Sequence, residues 1–160
     1  MADTKAGAPV ALSAAAFKVS FTGSTHFDAY FSELSGITSE VEPVEYIAAD
    51  SATGEPIMTK QFGKVKPPTV TLKRGVDGSG TIFGWHEMAR QMVGAARLPG
   101  TLEILGHPES SGADRPVLAT YYLHNAWPSK VEVGNLKAGA SEIVLETVTF
   151  TCEKVTTTPM

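Results

Sequence analysis

Glu142-Ile143-Val144-Leu145-Glu146-Thr147-Val148-Thr149-Phe150 carries apolar side chains at both odd and even positions. In an extended strand, neighbouring side chains point to opposite faces, so both faces of this segment need cover. A small domain supplies that cover with its own helix or with a neighbouring subunit. The segment belongs to an extended run from Ser141 to Glu153, reached from Lys130–Val133 by a turn through Gly134, Asn135 and Gly139. Working outward, Thr69-Val70-Thr71-Leu72-Lys73 alternates cleanly and stops at Arg74-Gly75, and Phe17-Lys18-Val19-Ser20-Phe21 alternates in the same way. Each predicts a strand with one buried face.

Between these lie weaker signals. Phe27 to Ile37 reads as a strand bulged before Ser35-Gly36, and Glu40–Tyr46 continues in extended style around Pro43, which suits an edge or a break. From Ala48 to Lys66 the pattern is lost, and Asp50, Ser51, Gly54, Pro56 and Gly63 predict a long loop. Ile82, Trp85, Ala89 and Met92 recur at helical spacing and predict one helix from Thr81 to about Met92, capped by Ser79 or Thr81. Strands return at Thr101–Leu105 and Val117–Ala126, around a Gly/Pro/Ser-rich hairpin loop from Gly106 to Pro116. Trp127-Pro128 is expected to break the second of them. The sum is a mainly β, antiparallel protein with one principal α-helix: an N-terminal arm at 1–16, a single domain at 17–155 and a tail at 156–160. No internal repeat of solenoid period is present.

The chain has 160 residues, of which 42% are hydrophobic and 19% charged, an ordinary globular balance. Its formal charge of −4 offers no basic field for a phosphate backbone. Cys152 is the only cysteine, so no internal disulfide forms and synthesis in a reducing cytosol is expected. The N-terminus does not resemble a signal peptide, and no apolar segment is long enough to span a bilayer, so membrane insertion by this chain alone is not expected.

Chemistry-bearing motifs are sparse. His26, His86, His107 and His124 do not pair with one another or with cysteine at metal-ligand spacing. His86-Glu87 opens like a zinc-protease helix, but Arg90 stands where the second histidine belongs. Gly75-Val76-Asp77-Gly78-Ser79-Gly80 precedes the helix without phosphate-loop spacing and reads as a tight turn. Ser79 also lacks the glycine spacing of a nucleophile elbow. Glu40 and Glu42 share one face in extended chain while Glu45 lies across, which suits a strand edge better than a carboxylate pair. Cys152 reads as a small buried hydrophobe. No catalytic residue, cofactor site or metal site is expected.

Several strings, in order, resemble the tail tube family of contractile phages and phage-derived injection systems. They begin with Phe17-x-Val19-x-Phe21, Phe31 leading to Leu34-Ser35-Gly36-Ile37, Glu40-x-Glu42 and Tyr46. They continue with Val70-Thr71-Leu72-Lys73-Arg74-Gly75, with Trp85 on the helix, and with Leu123-x-Asn125-Ala126-Trp127-Pro128-x-Lys130. Ala140 to Thr147 closes the series. The likeness runs from about Phe17 to Glu153.

The resemblance implies a barrel- or sandwich-like subunit whose sheet continues into its neighbours, giving hexameric rings stacked into a hollow tube inside a sheath. It implies sheath, baseplate and terminator proteins as partners, protein or DNA cargo in the lumen, and a final place in a virion or an injection particle. The arm and the 48–66 loop become candidates for ring-to-ring contact. Leu72, Ile82, Trp85, Trp127, Val144 and Phe150 become core or interface residues. Glu40, Glu42, Asp50, Glu55, Lys60, Lys73, Arg74 and Glu146 become candidate subunit-interface residues. Among these, Lys73 and Arg74 would face a neighbour's Glu40, Glu42 or Glu146, or else would be plain exposed charges at a strand end.

One departure stands out. The family's paired-glycine and asparagine pattern after the tyrosine is replaced by Ile47-Ala48-Ala49-Asp50-Ser51, and the later match is only Lys60-Gln61-Phe62-Gly63. Different stacking contacts, or a specialised ring near the baseplate, both fit. Two rival readings remain at this stage: a monomeric β-barrel that binds a small ligand, and a tube-initiator or secretion-ring homologue that does not polymerise alone.

Overall fold

The computed structural model of the chain describes residues 16–23, 31–76, 78–139 and 141–158. The expected arm lies outside them except for Ala16, as does the Phe27–Tyr30 part of the expected second strand. The described elements run β1 (Ala16–Phe21), β2 (Glu33–Ala49), β3 (Pro56–Gly75), α1 (Thr81–Arg90), a 3-10 turn (Gly94–Ala96), β4 (Leu98–Leu105), β5 (Val117–Val133), β6 (Leu145–Thr151) and β7 (Lys154–Thr157). The strands form one curled antiparallel sheet in the order β1-β4-β5-β6-β3-β2, with β7 also paired to β5. β7 therefore carries the sheet to Thr157, beyond the boundary expected at 155.

The curl comes from β5, which continues through Trp127-Pro128 where a break was expected. It pairs with β4 as far as Ala126 and with β7 as far as His124, and from Trp127 onward it pairs with β6. Between these halves Asn125 takes φ 49°, a left-handed conformation that asparagine tolerates better than most residues. Pro128 adjoins the register shift before Lys130, where the ladder is already interrupted, so its missing N–H costs little. The strand turns a corner instead of ending.

The corner folds the two halves of the sheet toward each other over α1. Phe21, Trp85 and Phe150 meet at the centre, with ring centroids 4.8 to 5.3 Å apart. Val70, Leu72, Ile82, Leu102, Leu123 and Val148 close around them, fully or almost fully buried. Trp85 Nε1 donates to Ala96 O at 2.6 Å, so burial of the indole leaves its N–H satisfied. His86 Nδ1 donates to Pro128 O at 2.9 Å, which ties the helix to the corner. Trp127 is half-buried beneath the Arg97 guanidinium, 5.2 Å from its ring centroid.

α1 stops earlier than its apolar stripe suggested. Gly80 occupies the cap position in a left-handed conformation, so neither Ser79 nor Thr81 fills that role. At the other end Met92 adopts φ 57° just past the helix, and Val93 N donates to Met88 O. This closing geometry turns Met92 out to 92% exposure, where the stripe had placed it in the core.

β6 also departs from its sequence reading. Its inward residues Glu146, Val148 and Phe150 are buried, while the opposite face is Thr147, Thr149 and Thr151. The doubly apolar part, Ile143 to Leu145, lies mostly ahead of the strand, with Val144 half-buried and Ile143 80% exposed.

Cys152 is buried and free. Loss of solvent pushes its thiol up from 9.0 to about 11. In the unfolded chain the thiol ionises at the lower value, so between these pH values the native state holds the extra proton and folding stability falls as pH rises. Alkylation at pH 8 is expected to be negligible in the native protein and complete once it is unfolded in urea. Rapid native labelling would show that the thiol is accessible.

Candidate assembly interface

β2 and β3 pair from Glu33↔Lys73 to Ala49↔Pro56. The long loop expected at 48–66 is therefore the outer part of a β-hairpin, with only 50–55 outside the strands. Asp50 shapes that turn: its Oδ1 accepts from Ala52 N at 2.7 Å, and its backbone N donates to Glu55 O at 2.8 Å. Register shifts between Leu34 and Gly36, Thr38 and Glu40, and Val41 and Pro43 disturb the alternation that marks a strand in sequence.

Both faces of the outer hairpin are open to solvent, and many of its residues are apolar. Phe62 is 97% exposed, and Ile47, Met58 and Val65 are each about 60% exposed. A single exposed apolar residue is ordinary, but a contiguous group of this kind marks a contact surface. At the hairpin base Lys66 Nζ lies 2.8 Å from Glu40 Oε1 and 3.2 Å from Glu42 Oε1. Hydrogen bonds donated to Glu40 and then to Glu42 hold the Lys66 ammonium above its ordinary range.

The sequence-selected residues thus separate into two groups. Glu40, Glu42, Asp50, Glu55 and Lys60 all lie on the hairpin or its turn, with Lys60 opposite Glu45. Lys73 and Arg74 lie at the other end of β3, in the body of the subunit, with Glu146 beside them on β6. Arg74 and Glu146 need correction as residues offered to a neighbour. They are direct cross-strand partners, Arg74 Nε to Glu146 Oε2 is 2.6 Å, and both side chains are 3% exposed. They point inward because they share parity with Val70, Leu72 and Val148. Lys73, on the opposite parity, pairs with Glu33 at 3.0 Å within the subunit.

Sequence reasoning missed Lys66 and the apolar group Ile47, Met58, Phe62 and Val65. The signal was present in the letters, because a polar loop has no use for this density of apolar side chains. Among the described residues no group of three or more His, Cys, Asp or Glu is placed to hold a metal ion. The space between the halves of the sheet is occupied by Phe21, Trp85, Phe150 and Leu72.

A hairpin that exposes apolar side chains on both faces, projecting from a curled sheet, is the form of a subunit built to join others. The family model described as T4-like virus tail tube protein gp19 matches residues 13–156. The chain belongs to this family. As a tail tube protein it is a structural subunit and not an enzyme, which accounts for the sparse chemistry of its surface.

Solved structures share the tube fold. The anti-feeding prophage cap (AFP tube terminating cap) superposes with TM-score 0.71 at 21% identity, over 100% of each chain. The PVC sheath-tube complex of an extracellular contractile injection system, in its extended state, gives 0.68 at 20% identity, over 90% of this chain and 88% of the other. The anti-feeding prophage baseplate gives 0.68 at 17% identity, over 94% and 97%. No curated protein sequence matches the tube protein.

Proposed function

We propose that this tube protein forms hexameric rings that stack into the inner conduit of a contractile particle. In this reading β2 of each subunit pairs with the second half of β5 in the next. The observation that carries it is a pair of open sheet edges. Among the described residues, β2 pairs only with β3, and β5 from Trp127 to Val133 pairs only with β6. These edges bound the four-strand section β5-β6-β3-β2, and every step across it is antiparallel. Its two outer strands therefore run in opposite directions. Copies related by rotation about a common axis can join edge to edge with antiparallel pairing throughout, and closure removes both edges.

The same geometry orients the subunit. One face of this section is packed against α1 and the first half of the sheet. A ring has no room for every subunit's body on the inside of the barrel, so the packed face looks outward toward a sheath and the other face looks into the lumen. The exposed hairpin then reaches the next ring, where Phe62 and Met58 would lose their contact with water. The subunit would be made in the bacterial cytoplasm and end in a virion or an injection particle, meeting baseplate and terminator proteins at the tube ends.

Negative-stain microscopy of the purified chain, with mass in solution followed across a concentration series, tests this. Rings or tubes of uniform diameter are expected. A monomer at every concentration, including after addition of preformed tube fragments as nuclei, would overturn the assembly reading.

A further inference from the structure

The subunit carries a second exposed apolar group, at the end of the β5-β6-β3-β2 section opposite the hairpin. β3 enters this section from the hairpin at Thr69, paired with Thr151, and ends at Gly75, paired with Leu145. Beside that far end, the connection from β5 to β6 forms a groove of about 440 Å³ whose lining includes Leu136, Lys137, Glu142, Ile143 and Val144. The groove is tied to the body of the subunit, because Val76 N donates to Val144 O at 3.0 Å and Gly134 N to Leu145 O at 2.7 Å. Leu136 and Ile143 are nonetheless largely exposed, a cost that association removes. The outer hairpin has two faces, and its register separates them. The pairs Ile47↔Met58, Glu45↔Lys60 and Pro43↔Phe62 lie on one, and Ala48↔Ile57, Tyr46↔Thr59 and Val44↔Gln61 on the other. Only the first face carries charge, one group of each sign set among apolar side chains. The groove has the same make-up, with Lys137 next to Leu136 and Glu142 next to Ile143 in the chain.

We propose that this groove receives the Met58, Lys60 and Phe62 face of the hairpin from a second copy of the chain in the adjacent ring, with Lys60 meeting Glu142 and Glu45 meeting Lys137. The inference rests on the tube reading above and goes beyond it: that reading gives the hairpin a ring to reach, and this one gives the surface on which it lands. Strands of a closed section run from one rim to the other, so the hairpin and the groove belong to opposite rims. Rings stacked in one direction join opposite rims, and such a contact is heterologous and open-ended. Each exposed apolar group then covers the other at every junction. The ion pairs at the margin add little affinity, but a hairpin landing on its other face, or shifted along the groove, leaves Lys137 and Glu142 without partners. Charge therefore selects the face and the register. Ile47 stands where the family's paired-glycine and asparagine pattern is replaced, so the chemistry of this contact is the chain's own.

The test follows tube formation by sedimentation across a concentration series, with microscopy of each sample, for the native chain, Lys60→Glu, Glu142→Lys and the two changes together. Each single change sets like charges against each other and should raise the concentration needed for tubes about ten-fold while rings still form. The double variant restores opposite charges and should return to within about three-fold of the native chain. Ile143→Ser, which alters only an exposed side chain of the monomer, should raise the concentration about ten-fold as well and leave thermal unfolding of the monomer unchanged. Single variants that form tubes as the native chain does would overturn the proposal. So would a double variant no better than Lys60→Glu, since Lys60 would then act on Glu45 of its own hairpin and not on the groove. Absence of rings from the native chain is seen separately by microscopy; it would overturn the assembly reading and this proposal with it.

Discussion

Replacing Arg74 by alanine is expected to destabilise the isolated subunit by about 3–5 kcal/mol. Arg74 continues the inward row of Val70 and Leu72 on β3, and Glu146 continues the row of Val148 and Phe150 on β6. The two meet at 2.6 Å with side chains only 3% exposed. Truncating the arginine strands the Glu146 carboxylate where water does not reach, and the cost is that of an uncompensated charge more than of one lost contact. Replacing both residues together, Arg74→Met with Glu146→Leu, should recover most of the loss, because apolar side chains of similar size need no partner. Urea unfolding of monomeric protein reads this directly, and the single variant should melt roughly 10 °C lower for a domain of this size. A loss below about 1 kcal/mol for Arg74→Ala would mean that the pair is far more hydrated than its burial indicates. Because the measurement is made on monomer, it separates a structural role within the subunit from the contact with a neighbour that the sequence suggested.

That suggestion failed for a definable reason. Thr69 to Lys73 announces its buried face by alternation, and carrying the same parity forward places Arg74 inward with Leu72. Charge alone argued for the surface, and the partner that reverses the argument, Glu146, is remote in sequence and becomes adjacent only through β3–β6 pairing. The helix, the β1 alternation and the 106–116 hairpin loop were legible because local pattern and tertiary burial agree there. β5 was misread at Trp127-Pro128 because composition marks a breaker but does not tell a break from a corner; Asn125 at φ 49° makes the corner. The outer hairpin was illegible for the opposite reason. A strand pair with no subunit core on either face has nothing to impose a period of two, and its register shifts blur what remains. The part of the sequence that looked least structured is the part whose two faces both lie open to solvent in the single subunit.

Gly63→Val is expected to raise the concentration needed for tube assembly by at least about ten-fold while leaving the subunit folded. Gly63 lies on β3 opposite the register shift between Val41 and Pro43. A Cβ added there would stand 2.5 Å from Glu42 O and 2.5 Å from a methyl of Val44. Rotating Val44 away can relieve the second contact, but the first is with main chain, so the hairpin itself must open at that point. Forcing side-chain volume into such a site costs about 1–3 kcal/mol, a strain borne by the exposed hairpin and not by the core around Trp85 and Phe150. The assembled tube requires the same bend in every subunit, so the penalty repeats at each contact. The concentration needed for assembly should rise by at least about ten-fold, since every 1.4 kcal/mol lost is a factor of ten in association. Thermal unfolding of the monomer should change little. Phe62→Ala makes the complementary test, because it removes an apolar side chain that is 97% exposed and leaves the backbone as it was. If both variants raise the assembly concentration, the hairpin acts through its shape and through the apolar surface that the shape presents. If Gly63→Val alone does so, the bend positions other residues, with Lys66 and its partners Glu40 and Glu42 first among them. Normal tubes from Gly63→Val at native concentration would remove the hairpin from the assembly contacts altogether.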